Sequence, residues 1–279
     1  MRDVCVTEPL AYVLVSWLGV GYHLTEQFGF PDRRGSGKEP LCVRQEDLMN
    51  RHTRALFGAH PTLFASREEA GKRLGKALER FRGQRPLVLG IPTGGVPVAA
   101  EVARALDADL DVIVARKLGS PVSPQLVFGA VTADGACYLN QEIVDDLHVP
   151  GESLDSITKA KRAEAEEYER RFRGGREPLS VANRTVIIVD DGLEMGSTMT
   201  AAARSVQARH PQRLVIAVPV APRATCDAMR SEADEVVCLE IPDYFIAVAL
   251  HYEDFSETQD ADVERILSAW QVPLAVRAT

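Results

Sequence analysis

Apolar residues recur along this chain with two alternating periods, one helical and one of short continuous runs. Ser66-Arg67-Glu68-Glu69 reads as a capping box, in which a serine and a glutamate three positions apart satisfy free amides at a helix start. Ala70, Leu74, Ala77, Leu78 and Phe81 follow at helical spacing, and Gly83 is the expected stop. Leu87-Val88-Leu89-Gly90-Ile91 is the kind of apolar run a buried strand needs. Through Pro92-Thr93-Gly94-Gly95 it leads into a predicted helix with Val98, Ala99, Val102 and Leu106 on its apolar face, and Asp111 to Ala115 gives a second strand.

Residues 117–135 hold glycines and prolines with few regular cues, and read as a long loop, with strand edges as an alternative, of the kind that serves as a lid or binding loop. A charged helix over Ser153 to Phe172 turns Leu154, Ile157, Tyr168 and Phe172 inward. Thr185 to Val189 is a β-branched strand, followed by Asp190-Asp191-Gly192 and a helix over Met199 to Ala208. Leu214–Val218 and Val236–Leu239 complete the apolar strands, and Val263, Ile266, Leu267 and Trp270 make one last amphipathic face. Strands alternating with helices predict an α/β fold with a mainly parallel sheet flanked by helices.

The first sixty residues lack this rhythm. Their one apolar run, Leu10 to Leu24, is shorter than the roughly 20 residues that span a bilayer, and Arg2 is offset by Asp3 and Glu8, so a signal leader is not expected. Gly19-Val20-Gly21 lacks the third glycine of a dinucleotide fingerprint, and residues 31–40 read as a linker. The expected organisation is an N-terminal extension over 1–60, an α/β domain over 61–256, and a C-terminal helix and tail over 257–279 packing on that domain.

Composition narrows the function classes. With 279 residues, 46% hydrophobic and 26% charged, the chain can bury a full core without disulfide or metal staples. A net charge of −8 argues against a general nucleic-acid surface, and Lys72, Arg73, Lys76, Arg80, Arg82 and Arg85 read as a solvated helix face. The five cysteines never form C-x-x-C, and the six histidines show no paired ligand spacing. Reduced thiols in a cytoplasmic protein, with no metal held by the protein alone, are the expectation.

The unusual chemistry lies at one strand end, Val186-Ile187-Ile188-Val189-Asp190-Asp191-Gly192-Leu193-Glu194-Met195-Gly196-Ser197-Thr198. Adjacent carboxylates after a buried strand repel each other and lose solvation, so they call for hydroxyl donors or a cation. The small, hydroxyl-bearing turn that follows opens a helix, whose free amides suit a phosphate. No lysine follows Gly196, which excludes a Walker-type nucleotide loop. Carboxylates for a diol beside an amide nest describe a sugar-phosphate site.

This stretch resembles the phosphoribosyl diphosphate (PRPP) motif of type I phosphoribosyltransferases. The resemblance runs from about Leu63 to Phe255 and includes Pro92-Thr93-Gly94-Gly95-Val96, Arg116-Lys117-Leu118-Gly119 and Phe128-Gly129-Ala130-Val131. It implies transfer of phosphoribose from PRPP to a nitrogenous base with release of diphosphate, under a lid loop and a small C-terminal hood. Asp190 and Asp191 would bind the ribose hydroxyls, with Lys117 joining them in catalysis. Gly192 and the loop of Glu194, Met195, Gly196, Ser197 and Thr198 would cradle the 5-phosphate. Thr93, Gly94 and Gly95 would approach the diphosphate, which Arg116 and Lys117 would neutralise and which would carry in Mg2+. Tyr244, Phe245 and Tyr252 stand either as a base pocket or as core aromatics. Arg116 and Lys117 stand either at the diphosphate or as solvated strand-end residues. A homodimer is compatible with the resemblance.

Three positions depart from the family pattern. Thr93 stands where an arginine is expected, Met195 where a threonine is expected, and Gln125 where a glutamate is expected. A hydrogen bond to a charged group contributes about 1.5–3 kcal/mol, so losing the arginine would weaken diphosphate binding by one to two decades. A binding regulator with little turnover, and a degenerate scaffold, therefore remain beside the enzyme as readings.

Overall fold

The computed structural model describes residues 63–120 and 126–270. The extension expected over 1–60, the Ser123-Pro124-Gln125 stretch and the tail beyond Trp270 lie outside the described residues.

Five parallel strands form the central sheet: β1 (Leu87–Gly90), β2 (Asp109–Val112), β6 (Thr185–Val189), β7 (Arg213–Val220) and β8 (Glu235–Glu240), in the order β2-β1-β6-β7-β8. Their side chains alternate between two apolar layers. Val88, Ile187, Val189, Val215 and Ala217 face helices α1 (Arg67–Ala77), α2 (Gly95–Leu106) and α7 (Asp260–Ala269). Leu87, Leu89, Val186, Ile188, Leu214 and Ile216 face α5 (Ser197–Gln207) and α6 (Arg223–Met229). Burial on both faces explains why these strands read as continuous apolar runs.

A second, antiparallel sheet is formed by β3 (Ala115–Gly119), β4 (Val127–Thr132) and β5 (Cys137–Leu139), the first two of which enter the expected 117–135 loop from either end. The strand edges that stood as the alternative for that stretch are the end of β3 and the whole of β4. The connection between β3 and β4 covers only 120–126, and β4 is closed off by a hydrogen-bonded turn from Thr132 to Gly135. The short helix α3 (Gln141–Asp146) and the long α4 (Gly151–Phe172) follow, with Leu154 and Ile157 packed on Leu118, Phe128 and Val131.

Two boundaries also move. The first helix ends at Ala77 and passes into a single 3-10 turn over Glu79–Phe81 before Gly83. The expected strand Asp111–Ala115 straddles β2 and β3, two strands of different sheets. Arg173, buried just after α4, fixes that crossing. It donates Nε to Asp111 Oδ1 at 2.9 Å and Nη2 to the Val112 carbonyl at 2.7 Å, while Glu169 accepts from both Arg173 and the Val114 amide.

Among the described residues no helix is long and apolar enough to cross a membrane. Cys137, Cys226 and Cys238 are free thiols.

Candidate functional site

Chain direction places the site. From β1 the chain crosses through α2 to β2 on one side, and from β6 it crosses through α5 to β7 on the other. β1 and β6 are neighbours, paired in parallel up to Gly90 beside Val189. Their carboxyl ends therefore flank the crevice where strand order reverses, the place open α/β sheets use for ligands.

The two strand-end loops meet there in close contact. Asp190 and Asp191 follow β6, and the Thr93-Gly94-Gly95 turn follows β1 behind a cis Pro92–Thr93 peptide. A Cβ on Gly94 would lie 2.1 Å from Asp191 Oδ2, and one on Gly95 would lie 2.8 Å from the Val189 carbonyl oxygen. Gly94 has ordinary helical dihedrals, so space rather than backbone freedom demands glycine here. The sequence assigned these glycines to a ligand's approach; the first group they admit is the protein's own carboxylate.

The acidic pair is electrostatically loaded. Burial first, and the adjacent Asp191 second, push the Asp190 carboxyl well above the usual carboxylate range, while Lys117 acts in the opposite sense. Burial also raises Asp191, against the pull of the Arg67 guanidinium. Arg67 Nε donates to Asp191 Oδ2 at 2.8 Å, and the Asp191 amide donates to Asp190 Oδ1 at 2.9 Å. Below the pair, Tyr252 donates its hydroxyl to the Asp191 carbonyl oxygen.

Beside the acids, Gly196 caps α5 at φ +77°, a left-handed conformation that glycine adopts without steric cost. No side chain caps α5 and no acid lies in its first turn, so the amides at Ser197 and Thr198 are not covered by a cap of the protein's own. That is the requirement for an anion at a helix start. The loop is buttressed from behind by Thr225, whose hydroxyl donates to the Glu194 carbonyl oxygen at 2.6 Å. Glu194 and Met195 point outward, Met195 being 67% exposed, and Gly192 is buried.

The strand-end cations separate. Lys117 lies opposite Ala130 in the antiparallel sheet and Arg116 opposite Val131, so their side chains take opposite faces. The Lys117 face is the one whose charge reaches Asp190. Arg116 turns instead to α4, within 3.4 Å of Glu164 and over the Tyr168 ring at 4.7 Å. Arg116 thus takes the strand-end position that stood as its alternative, on the face away from Lys117.

The aromatic trio separates too. Tyr244 is 76% exposed, Phe245 stacks on His251, and Tyr252 is buried against Phe64. Tyr252 forms the floor under Asp191 and offers no open face to a base, the core position that stood as the alternative to a base pocket. Among the described residues, no group of three or more His, Cys, Asp or Glu side chains could hold a metal.

Sequence reasoning missed Arg67. It lies 124 positions from Asp191, inside what reads as a plain capping box. The available signal was a basic residue opening a helix, where the helix dipole favours acids.

Comparison with known proteins agrees with this architecture. The phosphoribosyl transferase domain family matches residues 63–254. A Mycobacterium tuberculosis protein, provisionally named a phosphoribosyl transferase, is 40% identical over 205 residues, covering 74% of this chain. The match covers 46% of that relative, so the chain spans about half its relative's length. The crystal structure of TT1426 from Thermus thermophilus is similar at 38% identity and a TM-score of 0.64, over 74% of this chain and 98% of that one. With the paired acids, the glycine turn and the uncapped helix start at one switch point, the chain belongs to the type I phosphoribosyltransferase family.

Proposed function

We propose that this protein transfers phosphoribose from PRPP to a nitrogenous base and releases diphosphate. One observation carries the reading: the Asp190–Asp191 pair, the Gly94-Gly95 turn and the uncapped start of α5 converge on one crevice. The α5 amides and the Ser197 and Thr198 hydroxyls hold the 5-phosphate. The carboxylates accept from the ribose hydroxyls, which fixes the anomeric carbon between the diphosphate and the incoming base. Lys117, on the face that reaches Asp190, offsets negative charge as the C–O bond to diphosphate breaks.

The donor set fits a shared magnesium ion. Two hard carboxylates, one engaged by Arg67, suit Mg2+ that takes its other ligands from the diphosphate and water. When bound, the ion supplies charge neutralisation of the leaving group.

A second reading, a PRPP-binding regulator with little turnover, is favoured by Thr93 and by the outward Met195. Diphosphate release on incubation with PRPP, Mg2+ and a panel of purine and pyrimidine bases separates the two. Base-dependent release that disappears in Asp190→Asn/Asp191→Asn supports the enzyme. Saturable PRPP binding without release, with no turnover gained in Thr93→Arg/Met195→Thr, supports the regulator, whereas a large gain in that double variant marks an eroded enzyme.

A further inference from the structure

The cation that the β1 turn lacks stands on another element. Arg67 opens α1, where the helix dipole gives no support to a positive charge. Gly71, one turn later, lets α1 lie hard against α2, since a Cβ there would come within 2.7 Å of the Val98 carbonyl oxygen. The guanidinium is held on three sides. Nε donates to Asp191 Oδ2 at 2.8 Å, Nη1 donates to the Ser256 carbonyl oxygen at 2.7 Å, and the group lies 3.8 Å over the Phe255 ring. The side chain is only 10% exposed, so its charge is offset by Asp191 and the Ser256 carbonyl rather than by water.

Its position coincides with the gap in the motif. A Cβ on Gly94 would lie 3.1 Å from Arg67 Nε, so the guanidinium abuts the turn in which Thr93 brings no charge. A guanidinium carries five N–H donors in a fixed fork, and Asp191 and Ser256 engage only part of it. A diphosphate entering over this turn meets the two carboxylates, with Arg67 bonded to Asp191 and the Lys117 charge acting on Asp190.

We propose that Arg67 is a diphosphate-binding residue, supplying from α1 the positive charge absent at position 93. The inference rests on the PRPP reading of the crevice. It treats Thr93 as a relocation of charge between two elements rather than as a loss.

The test is calorimetric titration of the full chain with magnesium diphosphate, and separately with PRPP. It compares wild type with Arg67→Gln, Arg67→Lys, Thr93→Arg and Arg67→Gln/Thr93→Arg. Arg67→Gln is expected to weaken diphosphate binding about ten- to a hundredfold. Thr93→Arg is expected to restore most of that loss, although it cannot recreate the contacts with Ser256 and Phe255. In the wild-type background, Thr93→Arg alone is expected to gain less than about threefold, because the charge is already present. A tenfold or larger gain from Thr93→Arg alone overturns the proposal without requiring the Arg67 variant to fold. A loss in Arg67→Gln that neither Arg67→Lys nor Thr93→Arg restores also overturns it, leaving a structural role. If wild type binds diphosphate but not PRPP, the PRPP reading fails and the Arg67 comparison still decides. Binding of neither at millimolar ligand overturns both.

Discussion

Tyr252 donates its hydroxyl to the main-chain oxygen of Asp191 across 2.6 Å, joining residues 61 positions apart. Its ring lies between Phe64 and Phe255, with centroids 5.3 and 5.1 Å away. Segments from before α1 and after β8 thus build one floor, and the acidic pair rests on it. Burial pushes the Tyr252 hydroxyl up, so it stays a donor throughout the physiological range.

Tyr252→Phe keeps the ring and removes the donor. A buried carbonyl left without its partner costs about 1–3 kcal/mol. At roughly 2–4 °C per kcal/mol for a domain of this size, the melting midpoint should fall by about 2–12 °C. Scanning calorimetry checks this, and an unchanged midpoint would mean that the bond contributes nothing.

The acidic pair should trade stability for binding. A carboxyl whose pKa is raised on folding binds more protons folded than unfolded, so stability falls as pH rises from the unfolded value of 3.8 towards the folded one. Above that window the penalty is fully present. Asp190→Asn removes it, so the variant should melt higher than wild type at pH 8, match it more closely near pH 4, and lose PRPP binding. Melting curves across pH read the first effect and calorimetric titration the second.

Gly94→Ala should fail for one identifiable reason. Its Cβ would lie 2.1 Å from Asp191 Oδ2, in a backbone conformation alanine otherwise accepts. Overpacking of this kind costs about 1–3 kcal/mol. Asp191→Ala should relieve it, so Gly94→Ala/Asp191→Ala should be more stable than the sum of the single changes while binding no PRPP. Additive losses in a chemical-denaturation cycle would place the clash elsewhere.

The parallel sheet was legible because strands buried on both faces leave uninterrupted apolar runs, and β6 matches its expected bounds Thr185–Val189. The antiparallel sheet was not. β3 mixes Arg116 and Lys117 with glycine, and β5 is three residues long, so neither carries a clear period. The acidic pair and the α5 start announce themselves because both sit in one contiguous motif. Arg67 and the Tyr252 floor reach the site only through tertiary packing, and no local spacing encodes either. The split of Arg116 from Lys117 follows from strand alternation alone, once their segment is known to be a strand rather than a loop.

Calorimetric titration of wild type and of Asp190→Asn/Asp191→Asn with PRPP and Mg2+ tests the central claim most directly. A PRPP site at the β1–β6 switch point predicts saturable binding to wild type and none to the double variant, which should remain folded. No binding to wild type at millimolar PRPP, or equal affinity in the folded double variant, would contradict it.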